Sequence, residues 1–200
     1  MTEAIKLFDR WSCGDIKIKD PGLERYLSVQ PIIVPKTGAR YAGRRFHKSK
    51  SNIVERLINR LMVPGHKAKK HKFTSGHITG KSQTAYDLVY AAFEIVEKKT
   101  KKNPVEVLVR AVENAAPRED IITIQYGGAR YPKSVECAPQ RRIDIALKLM
   151  TQGAYAKAVK SRKSAAACLA DEILLAYQLD PKSNAIAKKA EVERQADSSR

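Results

Sequence analysis

A mainly α fold, a helical bundle with one protruding β-hairpin arm, is the class this sequence predicts, and three observations carry it. Of the 200 residues, 43% are hydrophobic but only 6% are aromatic, and Trp11 is the sole tryptophan. Alanine makes up much of that apolar fraction, which favours helices over sandwiches or barrels. Apolar stripes at helical spacing recur along the chain, several of them opened by a capping residue. Around Gly127-Gly128 the pattern changes to β-branched and aromatic residues flanking a two-glycine turn. The length fits one domain with its own core. Within 1–200 the reading divides it into a basic N-terminal extension (about 1–51), the bundle (about 52–196) and the arm (about 121–137).

The first helix is expected from Asn52 to Val63. Ile53, Val54, Leu57, Ile58, Leu61 and Met62 form its apolar stripe, while Glu55, Arg56, Asn59 and Arg60 face away. Asn52 caps it, Glu55 reaches back, and Gly65 stops it. The second runs from about Thr79 to Lys98, with Leu88, Val89, Ala92, Phe93 and Val96 inward, and ends in a basic run, KKTKK, that suits the negative end of a helix dipole. In the third, Asn103 caps, Pro104 takes the first helical position and Glu106 completes the box. Val105, Leu108, Val109 and Val112 are buried, and Pro117 ends it. The segment 121–139 then reads as a hairpin turning at Gly127-Gly128.

Helical spacing resumes after Pro139, with Ile143, Ala146, Leu147 and Met150 inward and Gly153 as the stop. A weaker helical stretch from Ala154 precedes a helix from about Ser164 to Tyr177, which buries Leu169, Ile173 and Leu174. Asp180-Pro181 breaks the chain. The tail from Asn184 to about Ala196 reads as a polar helix with little to bury, and the terminal DSSR is expected to fray.

Charge narrows the function. The chain carries 38 Lys+Arg against 21 Asp+Glu, a net +17. Between Lys36 and Lys81 lie 13 basic residues and one acid, Glu55, whereas Pro104–Arg200 holds 16 basic and 12 acidic. An excess concentrated in one segment answers to a polyanion, nucleic acid first. Two basic stretches flank the first helix. The 36–51 stretch carries Lys36, Arg40, Arg44, Arg45, Lys48 and Lys50 around Gly38, Gly43, Tyr41 and Phe46. Its glycines let backbone approach phosphate, its arginines make forked phosphate contacts, and its aromatics can stack on bases or pack on the domain. The 64–81 stretch adds Lys67, Lys69, Lys70 and Lys72; Arg56 and Arg60 lie on the helix between. Tyr126, Arg130, Tyr131 and Lys133 surround the hairpin turn, and an exposed basic ribbon can reach into a nucleic-acid groove.

Other classes are set aside. No apolar run approaches a membrane span, and the first 15 residues carry Glu3 and Asp9 without the apolar stretch of a secretory signal, so no membrane partner is expected. Cys13, Cys137 and Cys168 are odd in number and far apart, as expected of reduced thiols in a cytosolic protein. The TGKS at 79–82 resembles the end of a P-loop, but the required earlier glycine is Ser75, with Gly76 one place out. His66, His71 and His77 have no cysteine or carboxylate among them and lie amid lysines that repel a cation, so no metal is expected. No Ser, His and Asp set supports nucleophilic catalysis. An RNA-modifying enzyme would need a cofactor or acid–base site that the sequence does not offer; no enzyme and no cofactor are expected.

Several runs, in order, resemble one family. NPVEVLVRAVENAAPRED, YGGARYPKSVECAPQRR and CLADEILLA are similar to protein seven of the small ribosomal subunit. KLFDRW and RYAGRRFHKSKSNIVERLINRLM resemble its archaeal and eukaryotic branch, and the histidine- and lysine-rich insert at 66–77 looks archaeal. The resemblance runs from about Lys6 to the C-terminus. It implies a helical bundle with a long hairpin, and binding to the 3′ major domain of small-subunit ribosomal RNA to help start assembly of the subunit head. It also implies an arm facing the messenger exit path and the exit-site tRNA, neighbouring head and platform proteins as partners, and a place in the cytoplasmic ribosome. Arg44, Arg45 and Lys48 match the family's basic RNA-binding segment, Gly127 and Gly128 its hairpin turn, and Arg141 and Arg142 its arginine pair. The alternative that shares the charge is a basic DNA-associated protein of the nucleoid class.

Overall fold

The computed structural model describes residues 5–14, 16–63 and 80–200, with the backbone of 66–67 and 70–71. The element order is β1 (Lys6–Leu7), β2 (Trp11–Ser12), α1 (Pro21–Glu24), a 3-10 turn (His47–Lys50), α2 (Ile53–Leu61), β3 (His66–Lys67), β4 (Lys70–His71), α3 (Ser82–Thr100), α4 (Pro104–Ala115), β5 (Glu119–Tyr126), β6 (Ala129–Glu136), α5 (Pro139–Ala158), α6 (Ala165–Tyr177) and α7 (Asn184–Asp197). The strands pair as three antiparallel ribbons, β1–β2, β3–β4 and β5–β6. The mainly α class with a hairpin arm is therefore observed.

The most apolar helix lies at the centre. Helix α6 buries Leu169, Ala170, Ile173 and Ala176 completely and packs against α3, α4 and α5. Its small residues let neighbouring helices approach closely. On α4 the expected stripe of Val105, Leu108, Val109 and Val112 is fully buried, and the Asn103 side chain accepts a hydrogen bond from the Val105 N–H at 3.0 Å. Asn103 also donates to the Ser12 carbonyl at 2.6 Å, tying the cap to the N-terminal ribbon.

Part of the expected N-terminal extension is core. Leu7, Phe8, Trp11, Leu23 and Leu27 are buried. Phe8 meets Trp11, Tyr86, Tyr90 and Phe93 edge-on, with ring centroids 4.8–6.2 Å apart. Arg10 clamps the ribbon to α3 through Glu94 and Glu97, both at 2.7 Å. Aromatic burial of this kind outweighs the basic character of the segment.

Four local expectations are corrected. Glu55 does not reach back to cap α2; it and Arg56 are buried, 5% and 7% exposed, because long-range polar partners cover them. Gly153 does not stop α5, which continues to Ala158, absorbing the weaker stretch expected from Ala154. Helix α3 begins at Ser82, after Lys81; the earlier start at Thr79, like the stop at Gly65, lies outside the described residues. Finally, the terminal DSSR, expected to fray, is engaged through Ser199 and Arg200, and α7 has more to pack on than its polar sequence suggests. The helix packs on α5, α4 and both arm strands, and the tail docks on the arm.

Candidate nucleic-acid interface

The arm follows from its register. Tyr126 pairs with Ala129, leaving Gly127 and Gly128 as a two-residue turn with φ of +53° and +92°. Positive φ at both positions is the I′ geometry whose twist matches the flanking strands. Alternation then puts Ile122, Ile124, Tyr126, Tyr131 and Lys133 on one face and Gln125 and Arg130 on the other. Ile122, Tyr126 and Tyr131 are exposed, as are Arg130 and Lys133. The root is held. The Ser134 N–H donates to the Ser199 carbonyl at 3.4 Å, the Arg118 N–H to Glu193 at 3.0 Å, and Arg200 pairs with Glu119.

The basic segment is shaped by α2. Glu55 Oε1 accepts from the Thr37 N–H at 2.9 Å and the Thr37 hydroxyl at 2.6 Å. At the other end the 3-10 turn leads into Asn52, whose side chain caps α2 through the Val54 N–H at 2.9 Å and donates to the Gln30 carbonyl at 2.8 Å. Held between these ties, Lys36, Arg40, Arg44, Arg45, Lys48 and Lys50 are all exposed. The Arg45 guanidinium lies 5.2 Å over the ring of Phe46, which is 55% exposed.

Arg45, Lys48, Arg56 and Arg60 meet the start of α5 across a cleft of about 700 Å³, where Arg141 and Lys148 complete the wall. Asp144 is the carboxylate among its lining residues and is already engaged, by Lys48 and by Arg56 at 3.0 Å. Arg56 also donates to the Tyr26 carbonyl at 3.0 Å, so this buried guanidinium works as a brace behind the cleft. Two buried donors, Arg60 Nε and Gln140 Nε2, have no hydrogen-bond partner here. Arg141 pairs with Asp120 at 2.5 Å, which keeps its guanidinium beside the arm root and raises its pKa further.

The residues marked in the sequence thus divide. Arg45, Lys48, Arg56, Arg60 and Arg141 come together. Arg142 points to the other side of α5, bound to Asp20 at 2.8 Å and to the Pro117 carbonyl at 3.1 Å. Lys50 lines a separate groove beside Gln30. Gly127, Gly128, Arg130 and Lys133 stand apart on the arm. The side chains of Lys67, Lys69, Lys70, Lys72, His66, His71 and His77 lie outside the described residues. Sequence reasoning missed Lys148 and Asp144. Both share a helix face with Arg141, and the i, i+3, i+7 spacing after that arginine was the available signal.

Three archaeal proteins called "Small ribosomal subunit protein uS7" are similar over nearly the whole chain. That of Nanoarchaeum equitans is 50% identical over 196 residues (98% of this chain, 99% of the relative). Those of Methanosphaera stadtmanae and Archaeoglobus fulgidus are 47% and 46% identical, covering 96% and 99% of this chain and 97% and 96% of theirs. These names favour the ribosomal reading over the DNA-binding alternative. The family described as "Ribosomal protein S7p/S5e" matches residues 23–200. With its bundle, its hairpin arm and relatives of this closeness, the chain belongs to that family, in its archaeal and eukaryotic branch, as a non-enzymatic structural constituent of the small ribosomal subunit.

Proposed function

We propose that this protein binds the 3′ major domain of small-subunit ribosomal RNA through the cleft between the 36–51 segment, α2 and α5, and so helps start assembly of the subunit head. The observation that carries the reading is the charge of that cleft, where Arg45, Arg60, Arg141 and Lys148 stand around a single, already paired carboxylate, Asp144. Lysine and arginine neutralise phosphates at an RNA junction and release counterions, and binding to folded RNA reads its shape. Phe46, more than half exposed, offers a face to an unstacked base. Lys36, Arg40, Arg44 and Lys50 extend the basic track on one side. Lys67, Lys69, Lys70 and Lys72 extend it on the other by sequence.

The arm takes a second role, near the messenger exit path and the exit-site tRNA. Its support is the family resemblance together with the exposure of Arg130, Lys133, Tyr126 and Tyr131 beyond the braced root. Arg142 contributes behind the arm and α7 faces neighbouring head and platform proteins. No step here is catalytic.

The test is binding of the full chain to a transcript of the 3′ major domain at several salt concentrations. If six to ten phosphates are neutralised, affinity should fall by about 10³–10⁵ between 50 and 200 mM salt, on the duplex-DNA scale. Arg44→Glu with Arg45→Glu should remove most specific binding at an unchanged melting temperature, since both side chains are exposed. A flat salt dependence would refute the reading.

A further inference from the structure

On the side of α5 away from the RNA cleft lies a second cavity, of about 830 Å³, walled by the turn before α1, the outer face of α4, the end of α6 and the flank of α7. Its chemistry differs from that of the RNA cleft. Six cations and three carboxylates line it. Two of the carboxylates are spent. Asp20 holds Arg142, and Glu113 holds Arg110 at 2.7 Å while accepting from the Lys19 N–H at 2.6 Å. Among the described residues the Arg118 guanidinium has no hydrogen bond or ion pair; its backbone is engaged, the N–H donating to Glu193 and the carbonyl accepting from the Cys137 N–H. Half-buried beside it, Lys189 donates to the Asn114 carbonyl at 2.8 Å and to no carboxylate. Burial pushes the Lys189 ammonium below its ordinary pKa; the Glu193 carboxylate opposes this, and the charges of Arg118 and Arg142 add to it. Glu193 is the carboxylate that acts most on Lys189, yet among the described residues neither Lys189 nor the Arg118 guanidinium has a carboxylate within ion-pair distance, so an incoming anion can pair with both.

The rim adds a different feature. Leu179 is 58% exposed and held at φ +59°, a backbone conformation that a leucine side chain disfavours, next to Tyr177 and Pro21. The cavity therefore pairs a cationic floor with an apolar lip. The third carboxylate, Glu106, is exposed on the wall, where it can accept from a peptide N–H.

We propose that this cavity docks an acidic peptide segment of a neighbouring ribosomal protein, with one carboxylate between Arg118 and Lys189 and an adjoining apolar side chain over Leu179. Such a contact has the make-up of a small interface, one desolvated charge-assisted bond beside an apolar anchor.

Treatment of assembled small subunits with a water-soluble carbodiimide tests this, because the reagent joins a lysine amine directly to a touching carboxylate. The expected product is Lys189 or Lys102 coupled to an Asp or Glu of another ribosomal protein, identified as a peptide pair by mass spectrometry. Arg118→Ala should lower that yield at least fivefold while moving the melting temperature of the free protein little, since among the described residues the exposed guanidinium makes no hydrogen bond or ion pair. Arg45→Glu, in the RNA cleft, should weaken the RNA complex and leave the coupling intact in the subunits that form. The proposal is overturned if both lysines couple only within their own chain or not at all, or if Arg118→Ala leaves the yield unchanged. Nucleotide adducts on the cavity peptides after ultraviolet irradiation would assign the cavity to RNA and overturn it equally.

Discussion

Gly153 lies where α5 meets the start of α7. A Cβ there would fall 2.8 Å from the Asn184 Cβ and 3.0 Å from the Glu172 carboxylate. Glu172 is fully buried, yet each of its oxygens is occupied: Oε1 by the Ser183 hydroxyl at 2.8 Å, Oε2 by Lys157 at 2.6 Å. A buried carboxylate satisfied in this way is costly to displace. Gly153→Ala should therefore destabilise the free protein by about 1–3 kcal/mol, the scale of overpacking a closed contact, read as a lower denaturant midpoint. An unchanged midpoint would mean that α7 can slide away freely. Two carboxylates set the acid limit. Burial pushes Asp20 up, but the Arg142 hydrogen bond and charge and the Gly22 N–H outweigh it and leave the carboxyl below its ordinary value. Asp171 follows the same pattern, burial opposed by Lys99 and Lys163, with the same net direction. Since the folded pKa lies below the unfolded one, their stabilisation is present above the ordinary carboxylate value and is lost as pH falls through the folded value. Melting temperature should hold down to about pH 5 and drop below about pH 4, and Asp20→Asn with Asp171→Asn should make that drop shallower.

At the scale of elements, the arm and the C-terminus form one unit. A two-stranded ribbon alone is marginal in water, and β6 carries Pro132 in mid-strand. Its root is stabilised from outside, by the Ser199 carbonyl on the β6 edge and by Arg200, which pairs with both Glu119 and Asp197. Exposed pairs of this kind contribute about 0–1 kcal/mol each, enough for local order and little for the whole fold. Removing Ser198, Ser199 and Arg200 should speed amide exchange at Ser134 several-fold while global melting shifts by only a degree or two. Equal protection of Ser134 with and without those residues would show that the ribbon needs no such tie. The helices behave differently: α4, capped by Asn103 and buried along one face, depends on packing that the sequence pattern already shows.

Across the whole molecule, charge and apolar surface are segregated. The core runs from the N-terminal aromatic cluster through α3, α4, α6 and α5, while Arg45, Arg60 and Lys148 line the cleft beside α2 and Arg130 and Lys133 lie on the far half of the arm. The distal arm contributes nothing to that core, since its residues from Gln125 to Lys133 are exposed. Replacing 125–133 by a short turn should leave circular dichroism and melting nearly as before and largely spare binding to the ribosomal RNA. Subunits carrying the shortened protein should instead retain exit-site tRNA differently; unchanged tRNA release would remove the arm's proposed role, and loss of the bundle would show that it packs inward.

Helix positions, caps and the hairpin turn were legible in the sequence, because 3.6-residue spacing, Asn103-Pro104 and Gly127-Gly128 act over a few residues. The basic segment was legible too, as a run of like charge. Which of its residues share a wall was not. Glu55 and Arg56 read as solvent-facing by periodicity, yet Thr37, Tyr26 and Asp144, 18 to 88 residues away, bury and engage them. Arg141 and Arg142 are neighbours in sequence, but successive side chains on a helix diverge, and Asp120 and Asp20 draw them into different cavities. The composition of the chain determined a basic, helical, nucleic-acid-facing protein. Tertiary structure alone decided where its charges are paired and where they are left free, because ion pairs and burial depend on partners that only the folded chain brings within a few ångströms.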